Sequence, residues 1–178
     1  MVAILAVHNA FAIVRHEVPH ALGRIPPDAH GLTVLPFLAG ERSPGWRGDR
    51  RAAIAGLSLD TTPLEILRAA LESVALRLAL VYDRLAPCAT ADHTIVASGG
   101  ALVESPTWAQ IVADALGRPL IHSRERAAPR RGVALLTLQA LGRRGDLASA
   151  AELGETLLPD AARHARYREA LARQQWLA

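Results

Sequence analysis

Residues 95–119 read IVASGGALVESPTWAQIVADALGRP, and this stretch decides the fold. His93 to Ser98 (HTIVAS) is a short run of strand formers. It leads directly into Gly99 and Gly100. Ser105 and Pro106 then have the chemistry of a helix start: a side-chain oxygen to cap the first free N–H groups, then a ring that needs no hydrogen bond there. Gly117 closes that helix as a left-handed cap. Arg118 to His122 (RPLIH) predicts the next strand, and Gly132 to Leu141 (GVALLTLQAL) a buried-looking helix closed by Gly142. Strand, glycine turn, helix, strand, helix is the order of an α/β domain whose helices cover a sheet.

The same reading extends outward in both directions. Residues 1–22 predict a helix ending near Pro19 and Gly23, followed by a loop at Pro26, Pro27 and Asp28. Gly31 to Leu38 and Ala52 to Leu59 predict strands, separated by an exposed loop, GERSPGWRGDRR (40–51). Asp60, Thr61 or Thr62 can cap a helix with Pro63 in its first turn, running to about Leu85. Its polar residues Glu65, Arg68, Glu72 and Arg77 form a narrow stripe on an otherwise apolar cylinder, as in a helix packed on most sides. Ala86 to Asp92 is a linker. Asp160 to Leu177 predicts a closing amphipathic helix.

Composition limits the function classes. The 178 residues are enough for one domain with a real core. All 20 basic residues are arginine, yet the net charge is only +3. The densest arginine region, Arg118 to Arg144, has no interleaved aromatic residues on which bases would stack, so nucleic-acid binding is not expected. The apolar start before Arg15 has no small-residue cleavage pattern and is too short to span a bilayer. The apolar run at 63–85 is broken by charges, so no membrane association is expected. A single cysteine, Cys88, excludes an internal disulfide and fits a reducing, cytoplasmic setting.

The glycine turn is the chemically suggestive feature. Two glycines at a strand end allow a ligand close to the main chain, and the helix start behind them offers N–H groups to phosphate or ribose oxygens. Alone, such a turn is often no more than a tight connection. His16-Glu17-Val18-Pro19-His20 matches a zinc-protease pattern, but Pro19 falls inside it and no third ligand follows, so no metal is assigned there. Trp46 and Trp108 read as packing anchors rather than ligand-stacking rings, and Tyr82 and Trp176 also take structural readings.

The 95–119 stretch closely resembles the adenosine motif of the FGGY carbohydrate kinases, in its Gly-Gly, its Ser-Pro-x-Trp at 105–108, Gln110, Ala113-Asp114 and Leu116-Gly117-Arg118-Pro119. GLTVLPFLAGERSPGW (31–46), Ala53 to Leu59, Gly132 to Leu136 and the tail HARYREALARQQWL are similar to further family segments. The gluconate kinase-like and xylulose kinase-like branches are nearest, chiefly through Gly-Glu-Arg-Ser-Pro at 40–44.

The resemblance implies an actin-like (ribonuclease H-like) fold and the carboxyl-terminal, nucleotide-binding lobe of a two-lobed sugar kinase. ATP with Mg²⁺ would lie in a cleft, with Gly99, Gly100 and Ala101 against the nucleotide and Glu104 and Ser105 near adenine or ribose. Glu104 departs from the Asn, Arg or Lys common in the family, and an acid there suits ribose hydroxyls better than phosphate. Glu41 and Arg42 would face the cleft, pair with each other or hold their loop. Pro129 implies a later helix start than usual in the family. The catalytic base, an Asp, and the phosphate-gripping hairpins belong to upstream segments, so no catalytic residue and no Mg²⁺ ligand is assigned here. Asp60, Asp92 and Asp114 match no base. The expected partners are ATP or ADP and a separately encoded amino-terminal lobe or a second copy of the chain.

Overall fold

A computed structural model of the chain describes residues 18–125, 128–143 and 153–178. The first element among the described residues is a short helix, α1 (Val18–Arg24), with Pro19 in its opening turn, where a missing N–H costs nothing. His16 and Glu17, and the helix expected before Val18, lie outside the described residues. Strands β1 (Thr33–Leu35) and β2 (Ala53–Ala55) pair antiparallel, Val34 opposite Ile54. Both are shorter than the strand-forming runs suggest. Gly56, at φ +90°, ends the pairing: a side chain there would meet the Gly31 carbonyl oxygen at 2.5 Å.

Helix α2 (Pro63–Leu85) follows the predicted bounds. Thr62 caps it, accepting from the Glu65 N–H at 3.3 Å, while the Glu65 carboxylate accepts from the Thr62 N–H at 2.8 Å, a reciprocal capping box. A 3₁₀ turn (Ala86–Cys88) leads to β3 (Ile95–Ala97), a one-turn helix α3 (Gly100–Val103) and helix α4 (Pro106–Leu116). Then come β4 (Leu120–Ser123), α5 (Ala128–Ala140), β5 (Leu153–Leu157) and the closing helix α6 (Ala161–Leu177). β3 and β4 are parallel, in register Ile95 to Leu120, and β5 pairs antiparallel to β4.

The core lies where α2, α4 and α6 meet β3 and β4. Ala75, Ala79, Ala113 and Ala115 are almost fully buried, and Ile111, Val112, Leu120 and Leu171 fill the space between them. Small residues on facing helices let α2 and α4 pack along each other, which suits a chain with few aromatic residues.

In the polar stripe of α2, Arg68 and Glu72 are 5% and 2% exposed. Three expectations need correction. The helix at 132–141 starts earlier, at Ala128 with Pro129 in its first turn, and none of its residues is buried. Val133, Leu136, Leu138 and Leu141 are exposed, because the described part of the domain sets nothing over them. Trp46 and Trp176 are 70% and 88% exposed, so neither anchors packing. Trp108 does: it packs against the core, and its indole N–H donates to the Leu71 carbonyl at 3.1 Å.

Candidate functional site

The site begins where β3 ends. Ala97 is buried, Ser98 emerges, and Gly99 turns the chain at φ +100°, a conformation an L side chain rarely adopts. Gly100 opens α3, and the Gly99 carbonyl closes that turn by accepting from the Val103 N–H at 3.1 Å. A Cβ at Gly99 or Gly100 would meet nothing within 4 Å beyond its chain neighbours and its own helix backbone. The two glycines therefore present bare main chain to open space instead of being sealed beneath neighbouring side chains.

Ser105 sits at the start of α4, where its Oγ accepts from the Trp108 N–H at 3.4 Å. Its hydroxyl is engaged as a cap, as the Ser-Pro pair predicts. Ala101 and Glu104 are exposed on the turn. Gly99, Gly100, Ala101, Glu104 and Ser105 are thus brought together on one short stretch between β3 and α4, at the carboxyl end of the parallel strand pair. In open α/β sheets, crevices at this end are where ligands settle.

A hollow of about 420 Å³ opens beside this turn. Val103 and Pro106 line it from α3 and α4, His122, Ser123 and Arg124 from the end of β4, and Gly154, Glu155 and Leu157 from β5. The glycines themselves do not line it. Gly154 lets β5 approach closely, since a side chain there would stand 2.9 Å from the His122 carbonyl oxygen. Its volume falls within the range of small-molecule clefts. The sequence reading did not find β5 or its wall. The signal was present in the Leu-Gly-Glu-Thr-Leu run bounded by Pro159, a short strand-like pattern ending at a breaker.

Glu41 and Arg42 do not line this hollow. Glu41 is 4% exposed and pairs with Arg50 and Arg77, not with Arg42. Arg77, stacked over the Phe37 ring, extends from α2 six residues beyond Leu71, where Trp108 is anchored; that is about 9 Å further along the helix. The Glu41 carboxylate thus holds its loop through these two pairs, while Arg42 is exposed. Asp114, in α4, is buried and structural: it accepts from the Gln110 amide and the Asp160 N–H, both at 2.9 Å, and so ties α4 to the start of α6.

The space a side chain would fill at Gly99 and Gly100 is open, so the turn leaves room for a ligand against its main chain. No group of three or more His, Cys, Asp or Glu side chains that could hold a metal ion comes together among the described residues. Nor is any of the described helices long and apolar enough to cross a membrane.

Comparison with known proteins supplies the identity. The profile of the FGGY family of carbohydrate kinases, C-terminal domain, matches residues 20–141. Gluconokinase of Bacillus subtilis is 31% identical over 120 residues, which is 67% of this chain and 23% of that protein. Glycerol kinase of Leptothrix cholodnii is 37% identical over 130 residues, 70% of this chain and 26% of that protein. The crystal structure of xylulose kinase from Rhodospirillum rubrum superposes with a TM-score of 0.74 at 27% identity, covering 92% of this chain and 32% of that one. The chain thus spans about a quarter to a third of the relatives it matches. Profile, relatives and superposed fold agree that the chain belongs to the FGGY family of carbohydrate kinases and carries the family's C-terminal domain.

Proposed function

We propose that this domain is the nucleotide-binding wall of an ATP-dependent kinase acting on a sugar or sugar acid of the gluconate or xylulose type. The reading rests chiefly on the open, bare main chain at Gly99 and Gly100. ATP, when bound, supplies the phosphoryl group; this chain's residues bind and orient its adenosine end. Gly99 and Gly100 admit the nucleotide to main-chain contact, Ala101 adds a small apolar surface, and Glu104 faces the ribose hydroxyls. Ser105 keeps the start of α4 in place, so the turn is set before the nucleotide arrives.

The reaction is complete only with an amino-terminal lobe that brings the base for the attacking hydroxyl. Asp114 cannot serve as that base, because it is 2% exposed and already accepts three hydrogen bonds. Mg²⁺ is assigned to no residue here. The exposed apolar side chains of α5 favour a rival reading, in which the domain binds a partner without turnover. Mixing the chain with ATP, sugars and a supplied amino-terminal lobe separates the two: phosphorylation requires the first reading. Phosphorylation by this chain alone would overturn the assignment of the base to another lobe.

The nucleotide pocket has its own test. Gly100→Val places its Cβ where nothing beyond its chain neighbours and its own helix backbone stands within 4 Å, so folding should be nearly unchanged. Calorimetric titration with ADP should show affinity falling by about tenfold or more, about 1.4 kcal/mol. Unchanged affinity counts against the pocket.

A further inference from the structure

A second hollow, of about 460 Å³, lies between the end of α1, the turn that follows it, one face of α4 and the first turn of α6. Neither Gly99 nor Gly100 contributes to it. Ile25, Pro26, Pro27 and Ile111 give it apolar walls, and Thr107 and Gln110 line it from α4. Gly23 closes one side: a Cβ there would stand 3.9 Å from the Thr107 Oγ1.

The hollow holds three arginines with different attachments. Arg68 is buried and satisfied, donating to Glu72 at 2.6 Å, to the Leu22 carbonyl at 3.0 Å and to the Tyr167 hydroxyl at 3.0 Å. Arg24 is exposed, and its guanidinium donates to the His20 ring at 2.9 Å. Arg163 reaches the Asp114 Oδ2 only at 3.5 Å, with its side chain 53% exposed. Two guanidinium groups from different elements therefore converge on a hollow whose one lining carboxylate, Asp114, already accepts from Gln110 and the Asp160 N–H. An apolar cleft with a few convergent donors is the usual form of a small-ligand site, and guanidinium forks match phosphate oxygens.

We propose that this hollow binds a small phosphomonoester of a hydroxylated carbon skeleton, a sugar phosphate in chemical class. Arg24 and Arg163 grip the phosphate, and the skeleton lies over Pro26, Pro27 and Ile111 beside Gln110. The site is separate from the nucleotide turn but shares α4 with it: Thr107, Gln110, Ile111 and Asp114 line the hollow, while Ser105 and Trp108 begin the same helix next to the glycines.

The test is calorimetric titration of the full chain with glucose 6-phosphate, inorganic phosphate and glucose. Glucose 6-phosphate should bind saturably, and glucose should not bind. The double variant Arg24→Gln/Arg163→Gln should weaken glucose 6-phosphate by about tenfold or more, with its unliganded melting temperature unchanged. Arg166→Gln, on the exposed face of α6, should bind as the parent does. Gly100→Val should also keep this affinity, so failure of the nucleotide reading leaves this result standing. Undiminished binding in the double variant, or equal loss in Arg166→Gln, overturns the site. Inorganic phosphate binding as tightly as glucose 6-phosphate overturns the assignment of a sugar skeleton.

Discussion

Glu72→Ala removes the centre of the most densely bonded polar cluster in the described structure. Its Oε1 accepts from the Arg68 Nε at 2.6 Å and the Tyr167 hydroxyl at 3.0 Å. Its Oε2 accepts from the His30 Nε2 at 3.0 Å and the Asp28 N–H at 3.2 Å. The His30 Nδ1 accepts from the Leu32 N–H, which leaves Nε2 to donate to Glu72. One carboxylate thus joins α2, the turn at 28–32 and α6. Removing it leaves the Arg68 guanidinium, 5% exposed, without an anion. Removing one partner of a buried pair costs about 3–5 kcal/mol, a large share of the ~5–15 kcal/mol that holds a domain together.

Acid should reveal the same carboxylate in the parent protein. Burial pushes the Glu72 pKa up, but the hydrogen bond from His30, the Arg68 charge and the Arg68 hydrogen bond together outweigh it and hold the group below its ordinary value of 4.5. A depressed carboxylate contributes stability that is present above its unfolded pKa and lost as pH falls through the folded one. Urea denaturation followed by circular dichroism, at neutral pH and at steps below 4.5, measures both effects. The variant should lose stability at neutral pH and show a flatter acid limb than the parent. A loss below ~1 kcal/mol, the scale of an exposed ion pair, would refute the reasoning, as would identical acid limbs.

Two further changes test local structure. Gly117→Ala puts a Cβ 2.5 Å from the His164 ring at φ +64°, so it should cost about 1–3 kcal/mol and break the His164 bond to the Asp114 carbonyl; a melting temperature equal to the parent's would show that the cap is dispensable. Thr62→Ala removes one half of the capping box and should lower stability by ~1 kcal/mol in chemical denaturation, with no effect on ADP affinity; a fall in affinity would tie the start of α2 to the nucleotide site.

Much of the domain is legible in the residues because its signals are local. Thr62-Pro63 and Ser105-Pro106 set helix starts, and Gly117 sets a helix end at φ +64°, through hydrogen bonds and backbone angles that involve only a few neighbours in the chain. The resemblance carried by Gly99, Gly100 and the Ser-Pro-x-Trp run identified the family for the same reason: a bare turn and a capped helix leave a contiguous trace.

Contacts between distant residues decided the rest. Whether Arg68 and Glu72 face water or the interior depends on Tyr167, 99 and 95 residues away along the chain, and on His30, which periodicity in α2 cannot reveal. Glu41 became a brace for its loop because Arg77 reaches it across 36 positions. The apolar sequence of α5 reads as buried, yet burial requires a covering surface, and the described domain supplies none. The order and ends of helices follow from short-range bonding, which the amino-acid order alone determines. Which charges are buried, which apolar faces stay open and where hollows form depend on surfaces brought together by packing, and only the tertiary structure determines those.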